Sequence, residues 1–276
     1  MSFKRRTFLL SLFGALALFC APAAARAAWS GSVSGSSVNV RPAPSLNASA
    51  VNRLSRGTAV TVHQTQGAWH RITSGSVSGW MHAAYVDSPT LRRGMRTESV
   101  RTLQEQLIFL GWLSGNADGI FGAQTEAAVR RYQAASGLVS DGLAGKATRA
   151  ALQKEISLCN AIVSEAKNYL GVPYVLGGTS PSEGFDCSGL AQYVYQRSGI
   201  PLPRTSSDQA KAGTAVSLSN IRPGDLVAFY SPVSHVGIAI GGGKFIHAPK
   251  PGDSVKITEL KYLPVNTVRR LTGAAP

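Results

Sequence analysis

A lone cysteine between an aspartate and a serine is the residue of this sequence best suited to covalent chemistry. Cys187 lies in GFDCSGL and starts a helical pattern, CSGLAQYVYQRSG, that Gly199 ends. Asp186 is a good N-cap residue, so the sulfur would lie in the first helical turn, where free N–H groups and the helix dipole stabilise an anion. Because the thiolate is the nucleophilic form of cysteine, we predict that Cys187 is a nucleophile with a lowered pKa.

Two histidines, His235 and His247, flank a hairpin pattern in HVGIAIGGGKFIHA. If the three glycines form a three-residue loop, strand alternation places both histidines on one face as diagonal neighbours. The opposite face is then apolar and suited to a core, since it carries Val236, Ile238, Ile240 and Ile246. A thiol hydrolase needs a base near the sulfur and a polar group that orients this base. We assign His235 to the first role and His247 to the second, and the assignment depends on the loop length.

Other interpretations of Cys187 stay open beside the nucleophile. An isolated cysteine is often an inert buried side chain. A zinc site built from Cys187, His235 and His247 would lack a closely spaced ligand pair, and a disulfide with Cys159 would silence the nucleophile. The two histidines favour the nucleophile, and we expect neither a metal nor another cofactor.

The first residues follow the order of a secretory signal peptide: a basic start, an apolar run and a small-residue end. We expect residues 1–27 to be a cleaved leader, with the Sec and twin-arginine routes both open and no membrane anchor left after cleavage. Its removal deletes four basic residues, so the net charge falls from +14 to +10. A basic protein favours polyanions, but dispersed charge on an exported chain argues against nucleic acid as the partner.

Residues 30–88 carry short β-type runs separated by turn residues, which predict a small all-β barrel. The runs VNVRPAPS, LSRGTAVTV, GAWHRI and GWMHAAYV resemble the bacterial Src-homology-3-like (SH3-like) domain. Members of that family commonly bind cell-wall peptides, which is what the resemblance implies. We expect Trp69, Trp80 and Tyr85 to belong to the barrel core rather than to a ligand site.

Residues 91–154 change to a helical period, with an apolar face at Val100, Leu103, Leu107 and Leu110. Thr97 is predicted to cap this helix and Gly111 to end it, and a second helix is expected over residues 125–136. DGIFGAQT recurs 23 residues later as DGLAGKAT. Each copy predicts an Asp-Gly turn and a helix that the threonine opens. The segment is similar to the three-helix peptidoglycan-binding domain, which implies non-catalytic anchoring to peptidoglycan.

Residues 158–276 have helical patterns first and strand patterns afterwards, which is typical of an α+β domain. NAIVSEAKNYLG predicts a helix that ends at Gly171, and a short linker is expected over residues 155–158. GDLVAFY and SVKITEL predict antiparallel strands beside the hairpin. The sequence as a whole predicts a multidomain protein with an SH3-like barrel, a small three-helix all-α domain and a C-terminal α+β domain.

Six segments in order resemble the NlpC-type cell-wall cysteine peptidases, which have a papain-like fold: GVPYVLGG, GFDCSGL, IPLPRTSSDQ, RPGDLVAFY, SHVGIAIGGGKFIHAP and VKITEL. The resemblance implies Cys187 as nucleophile, His235 as general base and His247 as the orienting residue. It further implies that the Tyr174 hydroxyl helps stabilise the oxyanion.

Three polar residues near the cysteine have two candidate roles each. By the resemblance, Asp186 and Ser188 hold the free amine of a stem peptide, and as plain side chains they cap the helix. Arg204 would meet a substrate carboxylate or form a structural ion pair.

The predicted leader and these resemblances together imply a secreted peptidoglycan endopeptidase of the cell wall or periplasm, and we expect it to be a monomer. The implied target is the bond between γ-D-glutamate and the following diamino acid of a stem peptide. An N-acetylmuramoyl-L-alanine amidase on the same fold and a non-catalytic wall-binding protein are the alternatives. Whether the substrate is intact wall or free muropeptides stays open.

Overall fold

The computed structural model describes residues 28–273, which form two compact units on either side of residues 86 and 87. The predicted leader, residues 1–27, lies outside the described residues. Across residues 28–273, no helix is both long enough and apolar enough to cross a membrane.

The first unit is made of short β-strands: β1 (Trp29–Val33), β2 (Ser37–Val40), β3 (Asn52–Ser55), β4 (Ala59–Gln66), β5 (Trp69–Ser74), β6 (Val77–His82) and β7 (Val86–Asp87). Five of them form one sheet in the order β6-β5-β4-β1-β7, and β2 pairs with β3. Valines, Ile72 and Met81 fill the core. The SH3-like region is thus confirmed. Trp69 is buried as expected, but Tyr85 is 47% exposed, so the prediction that Tyr85 belongs to the barrel core was wrong.

Three helices begin the second unit: α1 (Glu98–Phe109), α2 (Ala123–Ala135) and α3 (Lys146–Lys167). Thr97 caps α1, because its hydroxyl accepts a hydrogen bond from the Val100 N–H at 3.2 Å. The predicted apolar face of α1 is buried, and it packs with Trp112, Phe121 and Tyr132 in one core. The helical region is therefore confirmed.

The repeated Asp-Gly turns are held by buried glutamines rather than by the threonines of the motif. Glycines, Gly122 and Gly145, occupy the N-cap positions of α2 and α3. Thr125 and Thr148 lie inside the helices, where their hydroxyls accept hydrogen bonds from the amides of Gln104 and Gln133. The prediction that the threonines open the helices was wrong, because these hydroxyls are engaged by side chains from outside the motif.

A continuous helix crosses the expected linker. α3 runs without interruption through residues 155–158 to Lys167. Its Glu155 carboxylate accepts a hydrogen bond from Arg222 at 2.6 Å, and the same guanidinium donates to the Leu110 carbonyl at 3.3 Å. The predicted linker is wrong, because the segment contains no helix-breaking residue and buries Glu155 in an ion pair. One helix therefore belongs to both the helical region and the α+β domain.

The α+β domain continues with β8 (Thr179–Ser180), β9 (Gly184–Phe185), α4 (Cys187–Arg197), α5 (Ser206–Gln209), β10 (Thr214–Val216), β11 (Leu226–Phe229), β12 (His235–Gly241), β13 (Lys244–His247), β14 (Lys256–Glu259) and β15 (Val265–Arg270). Six strands form a sheet in the order β10-β15-β11-β12-β13-β14, with antiparallel pairing throughout.

Both faces of this sheet are covered. Helices α3 and α4 pack on one face against apolar side chains of β12 and β13. A second cluster covers the other face: Val227, Phe229, Ala239, Phe245 and Val268. The predicted helices-then-strands order is confirmed, and the sheet also gains β10 and β15, which the sequence patterns did not predict.

Candidate active site

Cys187 is the first residue of α4, and the loop before it is packed tightly against the helix start. Asp186 is in an extended conformation, and its Oδ1 accepts the Gly189 N–H at 2.7 Å, as an N-cap should. A Cβ on Gly189 would lie 2.0 Å from the Gly178 carbonyl oxygen, so only glycine fits between helix and loop. The partly buried thiol therefore sits at a fixed point on the edge of the core.

The environment of the thiol corrects one prediction. Burial raises the pKa of Cys187, and the nearby Asp186 carboxylate raises it further. The N–H groups of Val236 and of the first helical turn act in the opposite direction but do not outweigh burial. The prediction that the pKa of Cys187 is lowered is therefore wrong for the resting protein. The sequence pattern indicates the helix N-terminus, which lowers the pKa, but it does not show the burial, which raises it.

The histidine hairpin reaches the predicted register by a different turn. Gly241 pairs with Lys244, so the loop contains two residues, not three. A β-bulge at Ile240 absorbs the difference, and Ile238 faces Ile246 as the three-residue loop would have required. His235 and His247 consequently are diagonal neighbours on one face of β12 and β13, with the predicted apolar residues on the other.

A chain of hydrogen bonds runs from one histidine to the other and on to a threonine. His235 Nε2 lies 2.7 Å from His247 Nδ1, and His247 Nε2 lies 2.9 Å from the Thr258 hydroxyl. The nitrogen of His235 that remains for the thiol is Nδ1. The backbone N–H of Val236 donates a hydrogen bond to the Cys187 sulfur. The sulfur therefore lies next to β12, one residue after His235.

Aromatic side chains desolvate the histidine pair. The Phe229 ring centroid lies 5.8 Å from that of His235, and the Phe245 centroid lies 4.6 Å from that of His247. Burial lowers the pKa of His235 to about 4. Burial, with the charges of His235 and Lys256, lowers the pKa of His247 to about 3. The resting site at neutral pH therefore combines a neutral thiol with a neutral imidazole base.

The carboxylate before the cysteine is the centre of a second polar network. Asp186 forms a bidentate pair with Arg204, at 3.0 and 2.5 Å, and accepts the Gly177 N–H at 3.0 Å. Ser188 donates to Asp186 at 3.2 Å and accepts from Arg204 at 2.8 Å. Burial alone would raise the pKa of Asp186, but the bonds from Arg204, Gly189 and Gly177 outweigh it and lower the pKa. The network has the capping and ion-pair roles that the sequence allowed, and substrate contact by Asp186 and Ser188 stays a prediction.

Tyr174 lies on the same side of the core as the thiol. Its backbone N–H donates to the Asp253 carbonyl at 2.9 Å, and its half-buried side chain packs, as Cys187 does, against the edge of the main core. Burial raises the pKa of Tyr174, followed by the nearby Cys187 and Asp186. The hydroxyl thus stays protonated and is able to donate a hydrogen bond.

Two site residues were not singled out from the sequence. Thr258 lies in the VKITEL segment, where an alternating strand pattern opposite His247 could have drawn attention to it. Gln209 is fully buried, and its amide donates to the Ser188 and Pro203 carbonyls at 2.9 and 2.8 Å. It joins the loop that carries Arg204 to the first turn of α4. Among residues 28–273, no group of three His, Cys, Asp or Glu side chains is placed to hold a metal ion.

A cysteine at the start of a helix and a histidine pair on an antiparallel sheet form the arrangement that the resemblance to the NlpC-type peptidases implies. Residues 171–269 match the NlpC/P60 family, residues 96–152 match a peptidoglycan binding domain, and residues 36–87 match a bacterial SH3 domain. Residues 171–269 are therefore an NlpC/P60 domain.

Similar proteins match in the same region. The chain is 50% identical over 107 residues to the gamma-DL-glutamyl hydrolase of Bacillus subtilis, a match that covers 37% of this chain and 25% of that protein. It is 44% identical over 110 residues to a probable endopeptidase of Corynebacterium glutamicum, covering 40% and 52% of the two chains. The crystallised NlpC/p60 domain of the peptidoglycan hydrolase SagA is 45% identical, with 41% of this chain and 97% of that one covered and a TM-score of 0.39. The match spans between a quarter and about half of the length of these two curated relatives.

Proposed function

We propose that the protein is a secreted peptidoglycan endopeptidase that hydrolyses a stem-peptide amide bond by a Cys-His-His mechanism. The observation that carries this proposal is the hydrogen-bonded pair of buried histidines on β12 and β13, with Cys187 at the start of α4 next to the Val236 N–H. The target is the bond between γ-D-glutamate and the next diamino acid. A relative that is 41% identical over 104 residues is named a gamma-D-glutamyl-L-lysine dipeptidyl-peptidase, which supports this choice of bond.

The reaction begins with proton transfer from the Cys187 thiol to Nδ1 of His235 as the sulfur attacks the amide carbonyl carbon. The negative charge on the carbonyl oxygen is stabilised by the free N–H groups of the first turn of α4 and by the Tyr174 hydroxyl. His235 then returns the proton to the leaving amine, and the C–N bond breaks. Water, deprotonated by His235, attacks the thioester and releases the free thiol.

Burial keeps the pKa of His235 below 7, so its imidazole is neutral and able to accept a proton at neutral pH. An imidazole that is neutral at pH 7 accepts the thiol proton only as the sulfur attacks. His247 accepts a hydrogen bond from the imidazolium that forms, and the aromatic rings around the pair keep water from competing for it. The raised pKa of Cys187 is therefore compatible with nucleophilic catalysis, because the proton transfer and the attack occur together.

The two N-terminal domains hold the enzyme at its substrate. The helical and SH3-like regions bind peptidoglycan, so the catalytic domain meets stem peptides at a raised local concentration. The helical region shares α3 with the catalytic domain, and the buried Arg222–Glu155 pair fixes the junction. The protein acts as a monomer in the cell wall or periplasm, after the leader has been removed.

The test compares the chain lacking residues 1–27 with its Cys187→Ala and Cys159→Ala variants on purified peptidoglycan and on isolated muropeptides. Cys159 is a matched control, because it is fully buried and its sulfur contacts the Thr272 hydroxyl, away from the site. Mass spectrometry of the products identifies the new termini. We expect new diamino-acid N-termini from the parent and the Cys159 variant, and none from the Cys187 variant.

Three results would overturn the proposal. Equal products from the Cys187→Ala variant would exclude a thiol mechanism. New L-alanine N-termini would make the protein an amidase. Binding of the wall by all forms, with neither substrate cleaved by the parent, would make it a non-catalytic wall-binding protein.

A further inference from the structure

The second histidine of the site has a partner of its own. Thr258 lies on β14, two residues beyond the position that faces His247, and its hydroxyl oxygen is 2.9 Å from His247 Nε2. His247 is 4% exposed, so both of its ring nitrogens are withdrawn from bulk water and each has one protein partner. The protonation of one nitrogen is therefore tied to the protonation of the other.

Catalysis by His235 restricts these protons to one arrangement. To accept the thiol proton at Nδ1, a neutral His235 must carry its own hydrogen on Nε2. That hydrogen points to His247 Nδ1 at 2.7 Å, so His247 must present a bare nitrogen there. A neutral His247 then carries its hydrogen on Nε2, and this hydrogen points to Thr258.

The opposite arrangement is equally complete as a set of hydrogen bonds. If Thr258 donated to His247 Nε2, the hydrogen of His247 would lie on Nδ1 and would force the hydrogen of His235 onto its own Nδ1. That tautomer would face the thiol with an N–H group, and His235 would be unable to act as a base. The direction of one threonine hydrogen bond therefore decides whether the base is competent.

The surroundings of Thr258 favour the acceptor role. Its side chain borders a hollow of about 420 Å³, lined also by Lys244, Glu259 and Tyr262. A hydroxyl hydrogen rotates freely about its C–O bond, so it can turn away from His247 and leave an oxygen lone pair for the ring. Buried His247 has no such freedom, and its Nε2–H would have no partner without the threonine.

We propose that Thr258 is a positioning residue that accepts the Nε2–H of His247 and thereby fixes both histidines in the tautomers that catalysis requires. The inference rests on the proposed thiol mechanism, because only that mechanism makes one tautomer of His235 the active one. Thr258 contacts neither the substrate nor the thiol. Its effect passes through His247 to His235 by two hydrogen bonds.

The charged groups around His247 do not replace the threonine. Lys256 faces His247 across β13 and β14, and its charge disfavours the protonated ring. Asp253 acts in the opposite direction, but its carboxylate is paired with Lys256 at 2.5 Å. His235 is the remaining titratable neighbour. These charges influence whether His247 is protonated, and the hydrogen bond to Thr258 selects the nitrogen that carries the single hydrogen of the neutral ring.

The test combines a spectroscopic and a kinetic measurement on the chain lacking residues 1–27. Two-bond ¹H–¹⁵N correlation spectra of histidine-labelled protein near pH 7 report which ring nitrogen is protonated. The variants are Thr258→Val, which removes the hydroxyl at nearly constant shape, and Thr258→Ser, which keeps it. Thr267→Val is the matched control, since Thr267 is a half-buried threonine of the same sheet whose hydroxyl makes no hydrogen bond within residues 28–273.

We expect Nε2–H tautomers of both histidines in the parent, the Thr258→Ser variant and the Thr267→Val control. In the Thr258→Val variant a substantial share of both rings shifts to the Nδ1–H form, and kcat falls by about 10- to 100-fold with KM within about twofold. This loss is smaller than the roughly 10⁴-fold loss known for a wrong-tautomer base in a serine protease, because the correct form stays partly populated. The Thr258→Ser variant should keep both the histidine tautomers and the kcat of the parent.

Two results would overturn the inference. One is an Nδ1–H tautomer of His247 in the parent protein. The other is an unchanged tautomer, or an unchanged kcat, in the Thr258→Val variant. If the parent cleaves no peptide but the tautomers shift as expected, the proposed function fails while the coupling between Thr258 and the histidines stands.

Discussion

Two regions of the second unit bury polar side chains, and they use them in opposite ways. In the helical region, Gln104 and Gln133 are 3% and 2% exposed. The Gln104 amide donates to Asp118, to the Ile120 carbonyl and to Thr125, and its oxygen accepts the Gly119 N–H. Gln133 has an equivalent set of partners, each 23 residues later in the chain than the corresponding partner of Gln104. These partners are Asp141, the Gly142 N–H, the Leu143 carbonyl and Thr148.

The active site buries His235 and His247 to a similar degree, but one ring nitrogen of this hydrogen-bonded pair is left without a hydrogen-bond partner within residues 28–273. His235 uses Nε2 for His247, and its Nδ1 makes no hydrogen bond within residues 28–273. A glutamine whose donors and acceptor are all paired can only hold its turn in place. A histidine that keeps a free nitrogen can accept a proton, and this is the physical difference between the structural and the chemical use of a buried polar group.

The largest expected effect follows from removing the free nitrogen alone. In a His235→Gln variant the amide can occupy the place of Nε2 and keep the hydrogen bond to His247, but no base faces the thiol. We expect kcat/KM to fall by about a thousandfold, which is within the range for loss of a general base. Activity within about tenfold of the parent, measured on isolated muropeptides, would contradict the role of His235.

A second expectation concerns the dependence of stability on pH. Burial lowers the pKa of His235 to about 4, from the ordinary value of 6.5 in the unfolded chain. The neutral ring thus contributes stability that is fully present above pH 6.5 and is lost as the pH falls towards 4. For His235 alone the contribution is about 3 kcal/mol.

Denaturant unfolding at pH 7 and pH 4 measures this contribution. The parent should lose more free energy of unfolding between these pH values than the His235→Gln variant does. A His63→Gln variant is the control, since His63 is exposed on β4 in the first unit, and it should lose as much as the parent. Equal losses in the parent and the His235→Gln variant would show that His235 does not hold a lowered pKa.

The smallest expected effect concerns the helical region, where the donors and the acceptor of each buried glutamine are all paired. Replacing Gln104 by Leu leaves the buried Gly119 N–H without a partner and frees Asp118 from its amide. We expect the free energy of unfolding to fall by about 2 kcal/mol, with kcat unchanged within about twofold. Because Gln133 has the same set of partners, Gln133→Leu should give a similar loss.

Gln106→Leu, at a half-buried glutamine of the same helix, is the control and should cost less than about 1 kcal/mol. A similar loss from all three glutamine variants would mean that burial of the helix face, and not the turn network, is responsible. A large loss of kcat in the Gln104 variant would mean that the turn influences the active site.

Local patterns predicted much of the fold and the identity of the central residues. Alternation along the hairpin placed His235 and His247 on one face, and the cap at Asp186 placed Cys187 at a helix start, as the structure has them. The predicted register of the hairpin was right although the predicted loop length was wrong, because the bulge at Ile240 compensates for the shorter turn. A bulge depends on how both strands pack, and the pattern of one strand does not contain it.

Other features depend on partners that are distant in the sequence. The helix through residues 155–158 was taken for a linker because no local signal shows that Glu155 pairs with Arg222, 67 residues away. The threonines of the repeated turns were taken for caps because the glutamines that engage them lie outside the repeat. At the turns a buried polar contact overrides the local preference of threonine for a cap position, whereas at residues 155–158 the ion pair adds to a helix that the local residues already allow.

The sequence by itself determined which residues carry the chemistry, since residue type, strand alternation and helix caps are local properties that periodicity displays. Only the tertiary structure decided the protonation of those residues. Burial raises the pKa of Cys187 and lowers that of His235, and the hydrogen bond between His247 and Thr258 connects β13 and β14 behind the site. Desolvation and hydrogen bonding between distant segments exist only once the chain has packed, and they set whether the cysteine and the histidines meet as a neutral pair or as ions.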